Sequence, residues 1–426
     1  MLDINRIRND REVVIAGLKI RNWKEEDLTI IDQLVELDDK RKAIQAVSDK
    51  QLAERNTLSK SIGDLFKQGK ADEAQVLKEK VTHLKQAIDE ASADAEEVRN
   101  QISDLIVRVP NIPHPDVPPG NSDEDNELVQ EWTEELPVLP EGSLPHWELA
   151  EKYNLIDFKL GAVITGSGFV VFRGQGAKLE RSLINFFLDE AANAGYEEII
   201  PPLLVNEASA FGTGQLPDKD GQMYYVERDD LYLVPTAEIP VTNIFRGALL
   251  REDELPAQLC AYTPCFRREA GSYGSHVKGL NRVHQFDKVE VVQVAHPQRS
   301  YEILDEMVKY VGGILTKLGL PYRITRLCGG DLGFTSALTF DFEVFSAAQK
   351  RWLEVSSVSN FESFQARRLQ LRYKDGDGKN HLAHTLNGSA LALPRVVAAL
   401  LENYQTAEGI HIPEVLQPYI GFDMIK

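Results

Sequence analysis

Two runs of apolar residues at alternating three- and four-residue intervals constrain the fold of this chain most strongly. At this spacing there are eleven positions from Ile30 to Leu65, of which seven hold apolar side chains. There are ten such positions from Ala74 to Leu105, and all ten hold apolar side chains. Such spacing is typical of coiled-coil helices. Because only a few residues around Gly69 separate the runs, the helices must fold back on each other. The sequence therefore predicts an antiparallel helical hairpin over residues 28–107, which at ~1.5 Å per residue extends roughly 60 Å.

Charge is distributed unevenly along this hairpin. Residues 40–85 contain eleven Lys or Arg and six Asp or Glu, whereas residues 86–107 contain one Arg and six acidic residues. The formal net charge of the whole chain is −19, which opposes broad binding of polyanions. A basic distal half favours local contacts with RNA phosphates, and Lys50, Arg55 and Lys60 lie there. The alternative is a solvated coiled coil that serves dimerisation or spacing.

Composition divides the remaining chain into a linker and a larger body. Residues 108–147 contain eight prolines and the acidic run 123–127, which is typical of a linker. We expect an N-terminal domain at 1–109, a linker at 110–147 and a catalytic body at 148–426. The chain has no run of eighteen apolar residues, so no membrane span is expected, and residues 1–10 lack an apolar signal core, so no secretory peptide is expected.

The three cysteines, Cys260, Cys265 and Cys328, lack C-x-x-C spacing. They are interpreted as free thiols of a reducing cytoplasm, and no zinc site is expected.

Short β-rich segments with hairpin-length connections follow residue 220. They indicate an antiparallel sheet and an α+β fold, because parallel strands need longer crossovers. Strands are predicted at 223–227, 231–235, 259–269, 282–294, 322–327, 339–346 and 352–358, and a helix at 299–318. Neither G-x-G-x-x-G nor a Walker loop is present, which excludes the nucleotide-binding folds that use those loops.

Residues 263–294 combine the side chains that a nucleotide ligand needs. Strict alternation places these side chains on one face of each strand: Cys265, Arg267 and Glu269 on the first, and Arg282, His284, Phe286 and Glu290 on the second. Guanidinium groups suit phosphates, an aromatic ring suits a base, and carboxylates suit amino groups. Gly271, Gly274 and Gly279 between the strands predict a loop that moves over a ligand. The alternative is a solvated hairpin with paired charges.

These residues carry a family resemblance. F-R-R-E at 266–269 and R-V-H-Q-F-D-K-V-E at 282–290 resemble the second signature motif of class II aminoacyl-tRNA synthetases, and in particular of the common bacterial-type seryl-tRNA synthetases. Further matches are V-P-T-A-E at 234–238, E-V-S-S-V-S-N at 354–360, F-Q-A-R-R at 364–368, H-T-L-N-G-S at 384–389 and P-E-V-L-Q-P-Y at 413–419. The resemblance implies a coiled-coil arm and an antiparallel catalytic sheet flanked by helices. It also implies ATP-dependent activation of L-serine and its transfer to tRNA(Ser), and leaves tRNA(Sec) open as a second substrate.

The resemblance also implies roles for residues in the ATP site. Arg267 would bind the α-phosphate, Arg395 would hold the γ-phosphate end, and these two are the expected catalytic residues. Glu269 would accept a hydrogen bond from the adenine amino group, and Phe286 would stack on the ring. The full expected set is Arg267, Arg268, Glu269, Val283, Phe286, Glu354, Val355, Ser356, Ser357 and Arg395. Of these, Glu354 and Ser357 would bind Mg²⁺, which requires a strand bulge or a strand end because alternation places them on opposite faces.

The serine site and the partners follow from the same resemblance. The expected serine-binding residues are Thr236, Ala237, Glu238, Arg267, Glu290, Asn387 and Ser389. The arm would grip the long variable arm of tRNA(Ser), and E-I-I-P-P at 198–202 would lie at a homodimer interface.

Departures from the family pattern are few. They are Pro394 before the third-motif arginine, and Phe361 and Ser363 near Asn360. Pro394 suits the first turn of a helix, so the placement of Arg395 should survive. The rival interpretations are a synthetase-like enzyme that loads a carrier protein and an inactive paralogue. An inactive paralogue is expected to lose Arg267, Glu269 or Arg395, and all three are present.

Overall fold

The computed structural model describes residues 1–218, 221–269 and 278–426, and it divides into two compact units, Met1–Pro110 and Asn111–Lys426. Most of the glycine-rich loop predicted between Glu269 and Arg282 therefore lies outside the described residues.

The first unit consists of helices α1 (Ile4–Asn9), α2 (Arg11–Ile20), α3 (Glu25–Lys67) and α4 (Ala71–Ile106). Helices α3 and α4 pack along each other, which confirms the predicted helical hairpin. Gly69 makes the turn with a φ of +74°, a conformation that glycine adopts without a Cβ penalty. At the base of the hairpin Asp38 is buried and accepts a hydrogen bond of 3.2 Å from Arg8 of α1. The short helices α1 and α2 are thus attached to the first third of α3.

The second unit contains the remaining helices and all the strands that the structure describes. The helices are α5 (His146–Lys152), α6 (Phe158–Ile164), α7 (Gly174–Asn193), α8 (Glu207–Thr213), α9 (Glu238–Thr242), α10 (Ser300–Lys317), α11 (Ser363–Leu369), α12 (Leu393–Asn403) and α13 (Gln417–Ile420). The strands are β1 (Glu127–Gln130), β2 (Ile156–Asp157), β3 (Val171–Phe172), β4 (Glu197–Glu198), β5 (Leu204–Val205), β6 (Tyr225–Val226), β7 (Leu231–Leu233), β8 (Leu249–Arg251), β9 (Ala257–Phe266), β10 (Gln285–Ala295), β11 (Tyr322–Arg326), β12 (Leu338–Ser346), β13 (Arg351–Asn360), β14 (Arg372–Lys374), β15 (Asn380–Leu382), β16 (His384–Ala392), β17 (Ile410–His411) and β18 (Met424–Ile425).

An eight-stranded sheet in the order β1-β11-β12-β13-β16-β10-β9-β4 forms the centre of this unit. Its described pairs are antiparallel apart from β4 and β9, so the predicted antiparallel sheet and α+β class are confirmed. Helices α7, α10 and α12 pack against the sheet. The edge strand β1 lies inside the proline-rich segment for which the sequence predicts only a linker, and its four residues are all exposed.

The predicted hairpin at 263–294 is present but shorter than expected. Strands β9 and β10 pair from Phe266 opposite Gln285 to Ala257 opposite Val294. Arg267 and Glu269 lie beyond the end of β9, and Arg282 and His284 lie before β10 begins. The prediction that strand alternation sets the faces of Glu269, Arg282 and His284 is therefore wrong, whereas Arg267 lies on the predicted face beside Phe286. Glu269 has a φ of +48°, which takes the chain out of the extended conformation at that point.

One face of the sheet centre is closed by α10. Gly388 of β16 lies against Met307 of this helix, where an added Cβ would come within 3.3 Å of the Met307 Cε. Glu290 and Ser389 are directly opposite each other on β10 and β16, and their side chains belong to the other face because residues alternate along a strand. Polar side chains thus collect on the face that α10 leaves uncovered.

Candidate functional site

A buried polar cluster surrounds the Glu290 carboxylate at the centre of the sheet. The Thr236 hydroxyl donates to Glu290 Oε2 at 3.0 Å, and Asn387 Nδ2 donates to Oε1 at 2.7 Å. The Lys288 ammonium pairs with the same carboxylate and donates to Thr236 Oγ1 at 3.0 Å. The structure therefore brings together Thr236, Glu290 and Asn387, which are far apart in the sequence. Lys288 belongs to the cluster although the sequence analysis assigned it no role.

Glu238 forms a second acidic group beside this cluster. Gln365 Nε2 donates to Glu238 Oε1 at 2.6 Å and to the Thr213 carbonyl at 3.1 Å, and the Thr385 hydroxyl donates to Gln365 Oε1 at 2.8 Å. Burial and the negative charge of Glu290 raise the pKa of Glu238 to about 7, although the hydrogen bond from Gln365 favours the ionised form. A carboxylate pair of this kind attracts a cation, because both groups ionise fully only when positive charge is near.

Glu238→Gln is expected to stabilise the protein at pH 8 but not at pH 5. The folded-state pKa of Glu238 lies above its ordinary value of 4.5, so the native state binds a proton that the unfolded state releases, and wild-type stability falls as pH rises from about 4.5 to about 7. Glutamine does not titrate, so the gain should reach on the order of 1–3 kcal/mol above pH 7. Denaturant unfolding at both pH values measures this difference.

The matched control for that experiment is Glu306→Gln, which makes the same substitution at an exposed position. A stability difference between Glu238→Gln and wild type that is the same at pH 5 and pH 8 would contradict the pKa that burial imposes on Glu238.

Arg267 and Phe286 lie side by side at the end of the β9–β10 hairpin. Arg267 Nε donates to the Pro235 carbonyl at 3.2 Å, and its guanidinium carbon is 5.3 Å from the centroid of the Phe286 ring. The Arg267 amide also donates to the His284 carbonyl at 2.9 Å, which continues the strand pairing for one more residue. A guanidinium group and an aromatic face are thus held together next to the Glu290 cluster, as a phosphate and a base would require.

The neighbouring residues of the second motif are engaged differently. Glu269 Oε2 accepts a hydrogen bond of 2.8 Å from Arg282, whereas Arg268 donates to the Met223 carbonyl at 2.9 Å and stacks on Tyr224. Glu269 and Val283, two of the residues expected at the ATP site, line one cavity of about 540 Å³.

Glu354 and Ser357 lie on the same side of β13 because of a bulge. Ser356 is opposite Phe342 and Glu354 is opposite Glu343, so Val355 is the additional residue, and the bulge expected for this pair is present. The Ser357 hydroxyl lies 3.5 Å from Glu354 Oε1. The side chains of Val355 and Ser356 are buried, and the Ser356 hydroxyl donates to the Ser389 carbonyl at 2.6 Å. These two residues can therefore offer a ligand mainly their main-chain groups.

The donor set around Glu354 suits a hard divalent cation. Asp341 lies directly opposite Ser357 on β12, and its Oδ1 atom is buried without a hydrogen-bond partner among the described residues. Burial and the negative charge of Glu354 raise the pKa of Asp341 above its ordinary value. A cation beside the Asp341 and Glu354 carboxylates would offset this repulsion. Carboxylate and hydroxyl oxygens are what Mg²⁺ prefers, so the residues present fit this ion. Within the described ranges, no group of three or more His, Cys, Asp or Glu residues is arranged to hold a metal ion.

Arg395 lies beside this acidic group, at the start of α12. Its Nη1 atom donates to the Glu354 carbonyl at 2.7 Å and lies 3.5 Å from Glu354 Oε2, while Nε donates to the Asn281 carbonyl at 3.1 Å. Pro394 occupies the first turn of α12, where the missing amide hydrogen costs nothing. Arg395 thus connects the third motif to β13 and to the segment that precedes β10.

The sequence analysis missed Lys288, Gln365 and Asp341. A signal existed for Lys288, since it shares strand parity with Phe286 and Glu290. Gln365 lies in the F-Q-A-R-R match at 364–368, but neither Gln365 nor Asp341 shows by itself which distant side chain it will contact. Ala237 is fully buried and can present only main-chain atoms.

Comparisons with known proteins show similarity over the whole length of the chain. The tRNA synthetase class II core domain (G, H, P, S and T) matches residues 224–404, and the seryl-tRNA synthetase N-terminal domain matches residues 1–113. A serine–tRNA ligase of Salinibacter ruber is 50% identical, covering 100% of this chain and 99% of the relative. One from Akkermansia muciniphila is 46% identical with coverages of 100% and 99%.

A solved structure extends the similarity to the fold. The seryl-tRNA synthetase of Pyrococcus horikoshii, complexed with ATP, superimposes with a TM-score of 0.94 at 33% identity, covering 100% of this chain and 99% of that one. None of the helices described in this chain is long and apolar enough to cross a membrane. The chain belongs to the serine–tRNA ligases, a family of class II aminoacyl-tRNA synthetases.

Proposed function

We propose that this chain activates L-serine with ATP to form seryl-adenylate and then transfers the seryl group to tRNA(Ser). The observation that carries the proposal is the position of the Glu290 cluster beside the Arg267 and Phe286 pair on one hairpin. This arrangement offers a site for a small amino acid next to a site for a nucleotide phosphate and base. In the reaction, a serine carboxylate oxygen attacks the α-phosphorus of ATP and pyrophosphate leaves.

The charges in the Glu290 cluster support serine as the amino acid. Glu290 is already paired with Lys288, so an ionised Glu238 leaves one negative charge that the serine ammonium would balance. The serine carboxylate would approach Arg267, and its hydroxyl would meet Asn387 and Ser389, with Thr236 and Ala237 closing the pocket. The side chain of Ser389 is nearly buried.

The proposed ATP site uses residues at the other end of the hairpin. Arg267 would stabilise the negative charge that grows on the α-phosphate, and Arg395 would hold the γ-phosphate. Phe286 would stack on the adenine, Glu269 would accept from its amino group, and Arg268 and Val283 would complete the surroundings. Mg²⁺, bound through Glu354 and Ser357, would offset the charge of the triphosphate. Val355 and Ser356 would contribute through their main chain.

Ser389→Ala is expected to reduce the preference for serine over alanine by about one to two orders of magnitude, because the wild-type pocket leaves a buried hydroxyl unpaired when alanine binds. The ratio of the two amino-acid-dependent pyrophosphate exchange rates measures this preference.

The matched control for Ser389→Ala is Ser182→Ala, which removes a similar hydroxyl from α7, where it donates to the Lys178 carbonyl. An unchanged serine-to-alanine ratio in Ser389→Ala would mean that Ser389 only shapes the strand.

For the tRNA step we propose a division of labour along the chain. Residues 1–109 would bind tRNA, and residues 148–426 would catalyse serine activation and transfer. Residues 110–147 would be the linker between these two domains. Lys50, Arg55 and Lys60 on the distal arm would contact phosphates of the long variable arm. Charging of tRNA(Sec) is a further proposal, and adding that tRNA to the charging assay tests it.

We also propose that the chain works as a homodimer in the cytoplasm. Ile200 is 90% exposed, and Leu203 and Leu204 near it are exposed as well, around Pro201 and Pro202. An apolar group of this kind suits a second copy of the chain. Sedimentation equilibrium would give the mass of a dimer, and the mass of a monomer would contradict this assignment. The cytoplasm suits the three buried cysteines, which are free thiols.

A further inference from the structure

A buried carboxylate connects the start of α5 to the end of α12. Glu402 and His146 are both fully buried. Glu402 Oε1 accepts hydrogen bonds from His146 Nδ1 at 2.7 Å, from the His146 amide at 2.9 Å and from Gln349 Nε2 at 3.0 Å. Glu402 Oε2 accepts from the Ser346 hydroxyl. Four donors thus converge on one carboxylate that water does not reach.

The first branch of this network runs through the His146 ring to the second motif. Because Nδ1 donates to Glu402, Nε2 is the acceptor, and it receives the Leu280 amide at 2.9 Å. Gly279 packs directly on the same ring, since a Cβ there would lie 2.2 Å from His146 Nε2. The Gly279 φ of +71° also favours glycine. His146 therefore holds the main chain at Gly279 and Leu280 in one position.

The second branch runs through Gln349 to Arg395. Gln349 Oε1 accepts from Asn281 Nδ2 at 2.9 Å, and the Asn281 carbonyl accepts from Arg395 Nε at 3.1 Å. Arg395 then reaches Glu354 through its Nη1 atom at 2.7 Å from the Glu354 carbonyl. Both branches begin at Glu402; the first reaches Leu280, and the second passes through the next residue, Asn281, to Arg395.

The energetics of the network favour one fixed geometry. Burial would raise the pKa of Glu402, but the hydrogen bonds from His146 and Ser346 outweigh it and hold this pKa below its ordinary value. Each donor would be left unsatisfied if the carboxylate were lost, and buried unpaired donors are costly. The ring of His146 and the amide of Gln349 are consequently held in single orientations.

We propose that Glu402 and His146 are positioning residues of the ATP site, which fix the main chain at Leu280 and Asn281 and so orient the Arg395 guanidinium. The inference rests on the proposed role of Arg395 in holding the γ-phosphate. Neither residue contacts the Glu290 cluster in the described structure. Loss of the network should therefore affect ATP far more than serine.

The test compares His146→Phe, His146→Gln, Glu402→Gln and Arg395→Ala in pyrophosphate exchange, with separate KM values for ATP and serine. His146→Phe keeps the ring but loses both of its hydrogen bonds, and its ATP KM should rise about tenfold or more, because a misplacement of about 1 Å is enough to weaken a site strongly. The serine KM should change by less than about twofold. His146→Gln can still accept from Leu280, so its ATP KM should lie closer to that of wild type.

Tyr196→Phe is the matched control for lost stability. It removes a buried hydrogen bond of 2.8 Å from Gln293 that is not part of the network. This variant should lower the Tm without changing the ratio of the two KM values. If His146→Phe does not fold, Glu402→Gln and His146→Gln carry the test.

Two results would overturn the inference, and they are distinguishable. If Arg395→Ala raises the ATP KM but the His146 and Glu402 variants change only the Tm, the network is merely structural and the proposed ATP site stands. If Arg395→Ala leaves the ATP KM unchanged, the proposed role of Arg395 fails and the inference fails with it. A selective rise of the ATP KM in all these variants, least in His146→Gln, supports it.

Discussion

Arg267→Ala is expected to slow serine-dependent exchange of pyrophosphate into ATP by about 100- to 1,000-fold, equivalent to about 3–4 kcal/mol of transition-state stabilisation. The physical reason is the loss of a charge-assisted hydrogen-bond donor at the α-phosphate of ATP, where the serine carboxylate attacks. The fold should survive, because the described contacts of the guanidinium are a hydrogen bond of 3.2 Å to the Pro235 carbonyl and stacking on Phe286.

A matched variant separates this effect from the loss of any sheet arginine. Arg326→Ala removes a guanidinium that pairs with Glu127 on the β1–β11 edge of the same sheet. It should leave the exchange rate near that of wild type. The Tm of Arg267→Ala shows whether the variant is correctly folded. If a folded variant exchanges pyrophosphate at a near wild-type rate, Arg267 is not a catalytic residue.

Shortening the arm is expected to destroy tRNA charging and to spare serine activation. The cut suggested by the structure removes residues 46–92, which extend equally far on both sides of the turn at Gly69 and include Lys50, Arg55 and Lys60. It leaves α1, α2 and the buried Asp38 with its partner Arg8 intact, whereas removing residues 28–107 would strip the apolar partners of α1 and α2. Charging should fall to below about 1% of wild type, since the phosphate contacts supply most of the affinity.

Charge reversal tests the same assignment without shortening the chain. Lys50→Glu, Arg55→Glu and Lys60→Glu combined should weaken tRNA binding and flatten its dependence on salt, by about 0.7–0.9 in the log-log slope for each lost phosphate contact. Pyrophosphate exchange should not change in either arm variant. Charging that persists unaltered in the shortened protein would mean that the hairpin is a spacer or a dimer element.

The parts of the fold that were predictable from sequence are those with local periodicity. The heptad runs predict α3 and α4 because a coiled-coil seam repeats every few residues. The buried strands β9 and β10 are predictable for a similar reason, as they alternate next to a glycine-rich turn. Strand β1 was not predictable, since its residues are all exposed and its pairing with β11 depends on a partner almost 200 residues away, as in the hydrogen bond between Glu127 and Arg326.

The site shows where strand alternation stops being informative. Arg282 and His284 precede β10, so their side chains follow the geometry of a turn. Glu354 and Ser357 come together only through the bulge at Val355, which the family motif implied and the hydrophobic pattern did not. Asp341 and Gln365 were missed because a buried polar residue is defined by distant partners, such as Ser357 and Glu238. Their tertiary contacts are therefore the information that a single sequence lacks.

The central claim is that serine is activated with ATP and then placed on tRNA. The most direct measurement follows serine-dependent pyrophosphate exchange and the transfer of labelled serine to purified tRNA(Ser) in one preparation of the protein. We predict exchange that requires serine and is not supported by alanine, followed by accumulation of seryl-tRNA(Ser). Exchange that does not depend on serine, or labelled serine that is activated but passes to a carrier protein and not to tRNA, would contradict the account.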